Sequence, residues 1–303
     1  MDQKFYDELK KILPEDCVRL DEPMDKHTTF RVGGPADYFV TPRTGGELGA
    51  VTDCCRAHGV PCYIIGNGSN LLVADSGYRG AVIQIFQSMN RIEVKGECIT
   101  AQAGALLSAV AARALEHELS GFEFASGIPG TLGGACVMNA GAYGGEMKDV
   151  LKQATVMDQA GRIFTIPAEE LEMGYRTSVI AKMGYIVLEA VIELKHGDVQ
   201  KIRARMEELK EKRVTKQPLE YPSAGSTFKR PDGYFAGKLI QDSGLRGFQV
   251  GGAQVSQKHC GFVINKDRAT AADIAELMRQ VSEKVKKDSG VLLEPEVKRL
   301  GEF

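Results

Sequence analysis

Tryptophan is absent from the 303 residues, and no apolar run approaches the length that crosses a bilayer. The opening stretch, Met1 to Leu13, mixes charged and apolar residues and has no signal-peptide core, so the expected location is the cytoplasm. No C-x-x-C pair occurs among Cys17, Cys54, Cys55, Cys62, Cys98, Cys136 and Cys260, and their number is odd. Neither a disulfide framework nor a zinc site is therefore expected. His27, His58, His117, His196 and His259 fall at no metal-ligand spacing, so no metal is expected. A net charge of −2 points away from nucleic acid and from anionic membranes as partners. Repeats and low-complexity tracts are missing as well. The sequence sets no oligomeric state, although a monomer is favoured.

What the chain does have is glycine in one place. Eight glycines and Pro129 lie between Gly121 and Gly145. A helix or central strand would be weakened by each of them. A disordered linker would lack Phe122, Phe124, Ile128, Leu132, Val137 and Met138. The stretch reads as a compact, buried loop system. Its glycines either let the backbone approach a ligand, with N–H groups turned to phosphate oxygens, or let the loop pack on its own domain. Composition alone leaves these two readings even.

The rest of the chain alternates helices and short strands. Apolar spacing predicts helices over Phe5–Leu13, Glu47–His58, Leu106–Glu118 and Val199–Val214, the last with Val199, Ile202, Met206 and Leu209 inward. Strands are expected around Gly33-Gly34-Pro35, at Cys62–Ile65 (buried), Ala81–Ile85, Glu97–Ala103 and Tyr185–Leu194. A hairpin is expected around Asp158–Gly161. Beyond a boundary near His196-Gly197 come a loop over Gln217–Pro231 and strands at Gly247–Val250 and Gly261–Asn265. A closing helix follows, capped by Thr270 and Asp273 and ended by Gly290, with Ile274, Leu277, Met278, Val281 and Val285 on its core face.

Four stretches could carry chemistry. The strand Cys62–Ile65 runs into Gly66-Asn67-Gly68-Ser69-Asn70, which begins like G-x-G-x-x-G but has Leu71 at the third glycine position. It is a weak dinucleotide fingerprint, yet its amides and side chains suit a pyrophosphate. Arg176, after Tyr175, presents a fixed planar cation. Ser226 sits in a turn of small residues followed by Lys229 and Arg230, with no G-x-S-x-G elbow around it. Glu294 and Glu296 flank Pro295. Taken singly, each reads most simply as structure or surface.

Together, and in order, these segments resemble the UDP-N-acetylenolpyruvoylglucosamine reductase (UDP-N-acetylmuramate dehydrogenase) family. They are Thr29–Gly34, Gly66–Asn70, Ser126–Gly134 through Asn139–Gly144, Tyr175-Arg176, Ala224–Ser226 and Glu294–Val297. The resemblance implies an α+β flavoprotein of peptidoglycan precursor synthesis. It would have a two-lobed FAD-binding domain of the p-cresol methylhydroxylase type over residues 1–195, with lobes of about 1–95 and 96–195. A substrate-binding domain would follow over 196–303. FAD would be held non-covalently by Gly66, Asn67, Gly68, Ser69, Asn70, Ser126, Gly127, Ile128, Pro129, Gly130 and Thr131, with Asn139 and Gly141. Arg176, Ser226 and Glu296 fall on the catalytic positions. Lys216, Tyr175, Arg230 and His259 fall on the substrate side. Thr177-Ser178 and the next strand follow Arg176 directly, leaving no room for the tyrosine-bearing insertion of the larger subtype, so the chain resembles the shorter one.

The residue types suit the implied reaction, in which NADPH reduces FAD and the flavin then reduces the enolpyruvyl group of a sugar nucleotide. Two other readings are a flavin oxidase of the same domain type acting on an alcohol or sugar, and a sugar-nucleotide sensor without chemistry. Arg176, Ser226 and Glu296 standing together count against the sensor.

Overall fold

A computed structural model describes residues Asp2 to Phe303. The chain forms two compact units interleaved along the sequence. The first comprises Met1–Arg19, Tyr38–Asn67 and Gly80–Arg213. The second comprises Leu20–Asp37, Gly68–Arg79 and Val214–Phe303.

The first unit contains helices α1 (Gln3–Ile12), α2 (Gly45–Ala57), α3 (Leu107–Glu116), α4 (Leu132–Met138), α5 (Val179–Met183) and most of α6 (Val199–Lys216). Its main sheet is antiparallel, with Ile163–Pro167, Leu151–Met157, Ile186–Glu193, Cys98–Gln102 and Ile92–Lys95 in that order. The expected hairpin is present, with Met157 opposite Ile163. Alternation along Leu151–Met157 and Ile186–Glu193 turns Ala154, Val156, Ala190 and Ile192 into a core shared with Leu48, Val51, Ile99 and Leu107. A four-stranded sheet runs in the order Val18–Pro23, Pro35–Val40, Tyr78–Gln84, Cys62–Ile65. Its last pair is parallel, with Cys62 opposite Ala81.

The second unit carries α7 (Ala236–Asp242) and α8 (Ala271–Ser289) against a small antiparallel sheet of Gln249–Val250, Ala253–Val255 and Val263–Asn265. Leu71–Val73 pairs in parallel with Lys298–Leu300. In α8 the expected face is buried, and Thr270 and Asp273 close the capping box in both directions. Asp75 adds a second cap, its carboxylate accepting from the N–H groups of Ala271 and Ala272 at 2.8 and 2.9 Å.

Several expectations need correction. Residues 28–34 hold no strand, only a bend, a turn and irregular backbone, and the strand begins at Pro35. Cys62–Ile65 is an edge strand buried only at Ile65, with Cys62 exposed. On α6 Ile202 and Leu209 are buried and Met206 packs against the core as expected, while Val199 takes no part in it, because a surface helix needs just one narrow stripe. The glycine stretch contains α4, and a short helix, α5, stands between Ser178 and the next strand. The strand Ala253–Val255 and helix α7 were not foreseen. Both are too short to show a period, and tertiary packing decides them.

Candidate active site

In the first unit two glycine turns lie side by side. A Cβ on Gly66 would collide with Oγ1 of Thr131, and Asn67 Nδ2 donates to the Pro129 carbonyl at 2.7 Å. Thr131 is 2% exposed and caps α4, so the second turn is held rigidly from behind. Among the described residues, the backbone N–H groups of Asn67, Gly127 and Gly130 donate to no protein acceptor. Bare main chain with uncommitted donors, approached without a Cβ, fits the diphosphate of a dinucleotide. The Ser126 N–H and hydroxyl both donate to the Glu123 carbonyl, at 3.2 and 2.8 Å. Ile128 is partly buried against the core.

Not every glycine of this stretch serves an open cradle. A Cβ on Gly133 would press on Ala103, one on Gly141 on the Gly145 carbonyl, and one on Gly145 on the Phe124 ring. At these three positions the glycines let the loop pack on its own domain.

Asn139 organises the loop that presents Arg176. It adopts φ +44° and is 1% exposed. Its Nδ2 donates to Glu146 Oε2 at 2.7 Å and to the Gly174 carbonyl at 3.0 Å, and its Oδ1 accepts from Lys148 N at 2.9 Å. The segment Gly174 to Thr177 is a tight turn with bonds in both directions between its ends, and Arg176 sits in it at φ +55°. The guanidinium reaches back to the carbonyls of Asn139 and Gly141, each at 3.5 Å, and lies 5.2 Å from the Tyr175 ring. Tyr175 is itself exposed. A cation so anchored is already oriented before any substrate arrives.

Arg213, which the sequence reading passed over, belongs with these loops. Its Nε would meet a Cβ on Gly127 at 2.6 Å, and its guanidinium lies 5.5 Å from the Tyr143 ring. Burial pulls its pKa down from the usual arginine range. Its signal was its place on α6, three residues before Lys216.

The second unit brings Ser226 and Glu296 onto adjacent extended segments. Glu296 N donates to the Thr227 carbonyl at 2.9 Å, Lys229 N to the Glu294 carbonyl at 2.8 Å, and Phe228 forms a bridge with Pro295. Thr227 is fully buried, its N–H donating to the Gly261 carbonyl and its Oγ1 accepting from Val263 N, both at 2.9 Å. That anchor leaves Ser226 exposed, beside Gly225 at φ +73°. Glu296 is 8% exposed. Asn70 Nδ2 donates to the Glu296 carbonyl at 3.1 Å, and Lys298 N returns to the Asn70 carbonyl at 3.0 Å. The motif Gly68-Ser69-Asn70 is thereby stitched to the segment that carries the carboxyl. Gly68, at φ +61°, backs directly onto the His27 carbonyl, where a Cβ would not fit.

Among the other residues singled out in the sequence, the Arg230 guanidinium stacks 4.0 Å from the exposed Phe235 ring. His259 Nδ1 accepts from Gly261 N at 3.1 Å, and its ring lies edge-on to Phe262 at 5.0 Å. Burial, then the charges of Arg246 and Lys216, lower the His259 pKa below the ordinary imidazole value. The exposed Lys216 ends α6 and is close enough to bear on that ring. One further buried group is Thr29, whose Oγ1 has no hydrogen-bond partner.

The fold is that of FAD-binding flavoproteins. Residues 36–167 match the FAD binding domain family, and Phl p 4, a grass pollen allergen with glucose dehydrogenase activity, shares the architecture at TM-score 0.50 and 15% identity over 64% of this chain and 44% of that one. Residues 217–300 match the family described as UDP-N-acetylenolpyruvoylglucosamine reductase, C-terminal domain. Curated reductases of that name from Agathobacter rectalis and Clostridioides difficile are 55% and 53% identical, covering 100% and 99% of both chains respectively. The crystal structure of the Thermus caldophilus reductase superposes at TM-score 0.81 with 37% identity, over 94% of this chain and 100% of that one. The chain belongs to the UDP-N-acetylenolpyruvoylglucosamine reductase family.

Proposed function

We propose that Arg176, Ser226 and Glu296 carry the reduction of UDP-N-acetylenolpyruvoylglucosamine to UDP-N-acetylmuramate. The chain is an FAD-dependent oxidoreductase acting on a C=C bond, with NADPH as reductant, in peptidoglycan precursor synthesis. Bound FAD, once reduced, supplies a hydride to the enolpyruvyl double bond. Asn67, Gly127 and Gly130 offer amides to its diphosphate, and Arg213 offsets the charge. Ser126, Ile128, Pro129, Thr131 and Gly141 shape the same turns, and Asn139 acts by holding them. Gly66, Gly68, Ser69 and Asn70 also serve the cofactor.

The substrate's carboxylate gathers enolate charge as its terminal carbon accepts hydride. Arg176 stabilises that charge, since a cation already held by two carbonyls needs little reorganisation when it appears. Ser226 gives its proton to the adjacent carbon. Glu296, beside a carboxylate, acts protonated or through a hydrogen bond, because two ionised carboxyls would repel. Lys216, Arg230, Tyr175 and His259 take the sugar nucleotide, with Lys216 on its diphosphate. Residues 1–195 serve chiefly the cofactor and 196–303 chiefly the substrate, with Arg213 crossing to the cofactor side and Tyr175 and Arg176 to the substrate side. Among the described residues no helix is long and apolar enough to cross a membrane. We place the enzyme in the cytoplasm as a monomer acting on small molecules.

The observation that carries this reading is the backbone bond from Glu296 to Thr227, which sets a hydroxyl and a carboxyl on neighbouring segments. The test is Ser226→Ala in separate half-reactions. Flavin reduction by NADPH should be unchanged, while reoxidation by the sugar nucleotide slows about 10²–10⁴-fold, the usual worth of a positioned proton donor. Equal losses in both half-reactions would remove Ser226 from the proton-donor role.

A further inference from the structure

Away from the glycine turns, the fold gathers three ligating side chains that the sequence keeps apart. Glu8 lies on α1, and Cys54 and His58 lie at the end of α2. His58 caps α2 with helical backbone angles, φ −94° and ψ −1°, so the four-residue spacing puts both side chains on one face. One ligand atom from each of the three lies within 4.8 Å of the other two. His58 Nε2 is 2.9 Å and Cys54 Sγ 3.7 Å from Glu8 Oε2. Ligand atoms around a tetrahedral zinc, with bonds of about 2.0–2.3 Å, stand roughly 3.3–3.8 Å apart. A small spreading of these side chains gives that geometry.

The other ring nitrogen carries the second observation. His58 Nδ1 is 3.7 Å from Asp2 Oδ2, and Asp2 is pinned by accepting from the N–H groups of Lys4 and Phe5. A carboxylate behind the imidazole is the arrangement that orients metal-ligating histidines. The Phe5 ring packs 5.5 Å from the imidazole, and Cys54 is buried, so the cluster has an apolar backing and an open side at Glu8.

We propose that Glu8, Cys54 and His58 bind one borderline-soft divalent cation, with Zn2+ as its representative, and that solvent fills the fourth position. Sulfur and nitrogen in the donor set select such an ion over magnesium or calcium. On binding, the Cys54 S–H bond breaks, a sulfur–metal bond forms and the proton passes to solvent, with no change of oxidation state. The cation clamps α1 to α2, a role separate from the reductase chemistry.

The test uses the purified FAD-loaded protein, stripped with a chelator and dialysed against buffered free Zn2+. Zinc and FAD are measured on the same samples. The wild type should take up one zinc per chain at micromolar free zinc, with a raised Tm. Cys54→Ser and His58→Gln should each weaken zinc binding at least tenfold and abolish that rise in Tm, while Cys98→Ser, a thiol outside the cluster, should not. Absence of stoichiometric zinc in the wild type overturns the proposal, as does zinc retained undiminished by Cys54→Ser. Should Cys54→Ser fail to fold, Glu8→Gln and His58→Gln decide, and unchanged zinc in both overturns it.

Discussion

At the scale of single residues, the distinction is between groups that do chemistry and groups that hold them. Among the described residues of the second unit Glu296 is the one buried carboxyl, and its backbone is tied to Thr227 and Asn70. If it works as a hydrogen-bonding or protonated group, Glu296→Gln should keep more of the substrate half-reaction than Glu296→Ala, by about tenfold or more. Stopped-flow reoxidation rates check this, and identical losses would count against the role. His259 gives a pH prediction. Its pKa is depressed in the folded protein, mainly by burial, so the unfolded chain takes up a proton there first as pH falls. The stability due to the neutral ring is full above about 6.5, the unfolded value, and is lost as pH drops through the folded value. Melting temperatures between about pH 7 and pH 5 should therefore fall less steeply in His259→Gln than in the wild type.

At the scale of elements, legibility followed period and chemistry. Helix α8 could be read in advance because nineteen residues give several turns of apolar spacing and both ends carry cap signals. Thr270→Ala should cost about 1 kcal/mol in chemical denaturation, the usual worth of an N-cap, with Asp75 still holding two of the first amides. Helices α4, α5 and α7 span only seven, five and seven residues, too few for a pattern to declare itself, and α4 has glycines inside it. The glycine turns were legible as turns but not as to purpose. Only coordinates separate Gly66, closed against Thr131, from Gly144, with nothing near its missing Cβ. Gly68→Ala should be the severe case, since a left-handed φ and the His27 carbonyl both oppose a Cβ. We expect weakened FAD retention and lowered stability together, read from the flavin-to-protein absorbance ratio and from Tm.

At the scale of the whole molecule, the order of motifs said more than any composition shift. Segments 20–37 and 68–79 leave the first unit's stretch of sequence to join the second, and no linear reading of polarity reveals that exchange. Asn70 shows why it matters, because a residue of the glycine turn is bonded to Glu296, 226 positions away. The site residues were named from the ordered motifs, while the partners that hold them, Asn139 behind Arg176 and Thr227 beside Ser226, came only from the fold. Arg213 was missed because its one signal, a place on α6 shortly before Lys216, is shared with the other cations of that charged helix.

The most direct measurement is an anaerobic titration of the purified protein followed by absorbance. The account predicts a yellow protein whose flavin band is bleached by NADPH and restored by UDP-N-acetylenolpyruvoylglucosamine, one equivalent for one. A protein that carries no flavin, or one whose bleached flavin stays bleached when the sugar nucleotide is added, would contradict it.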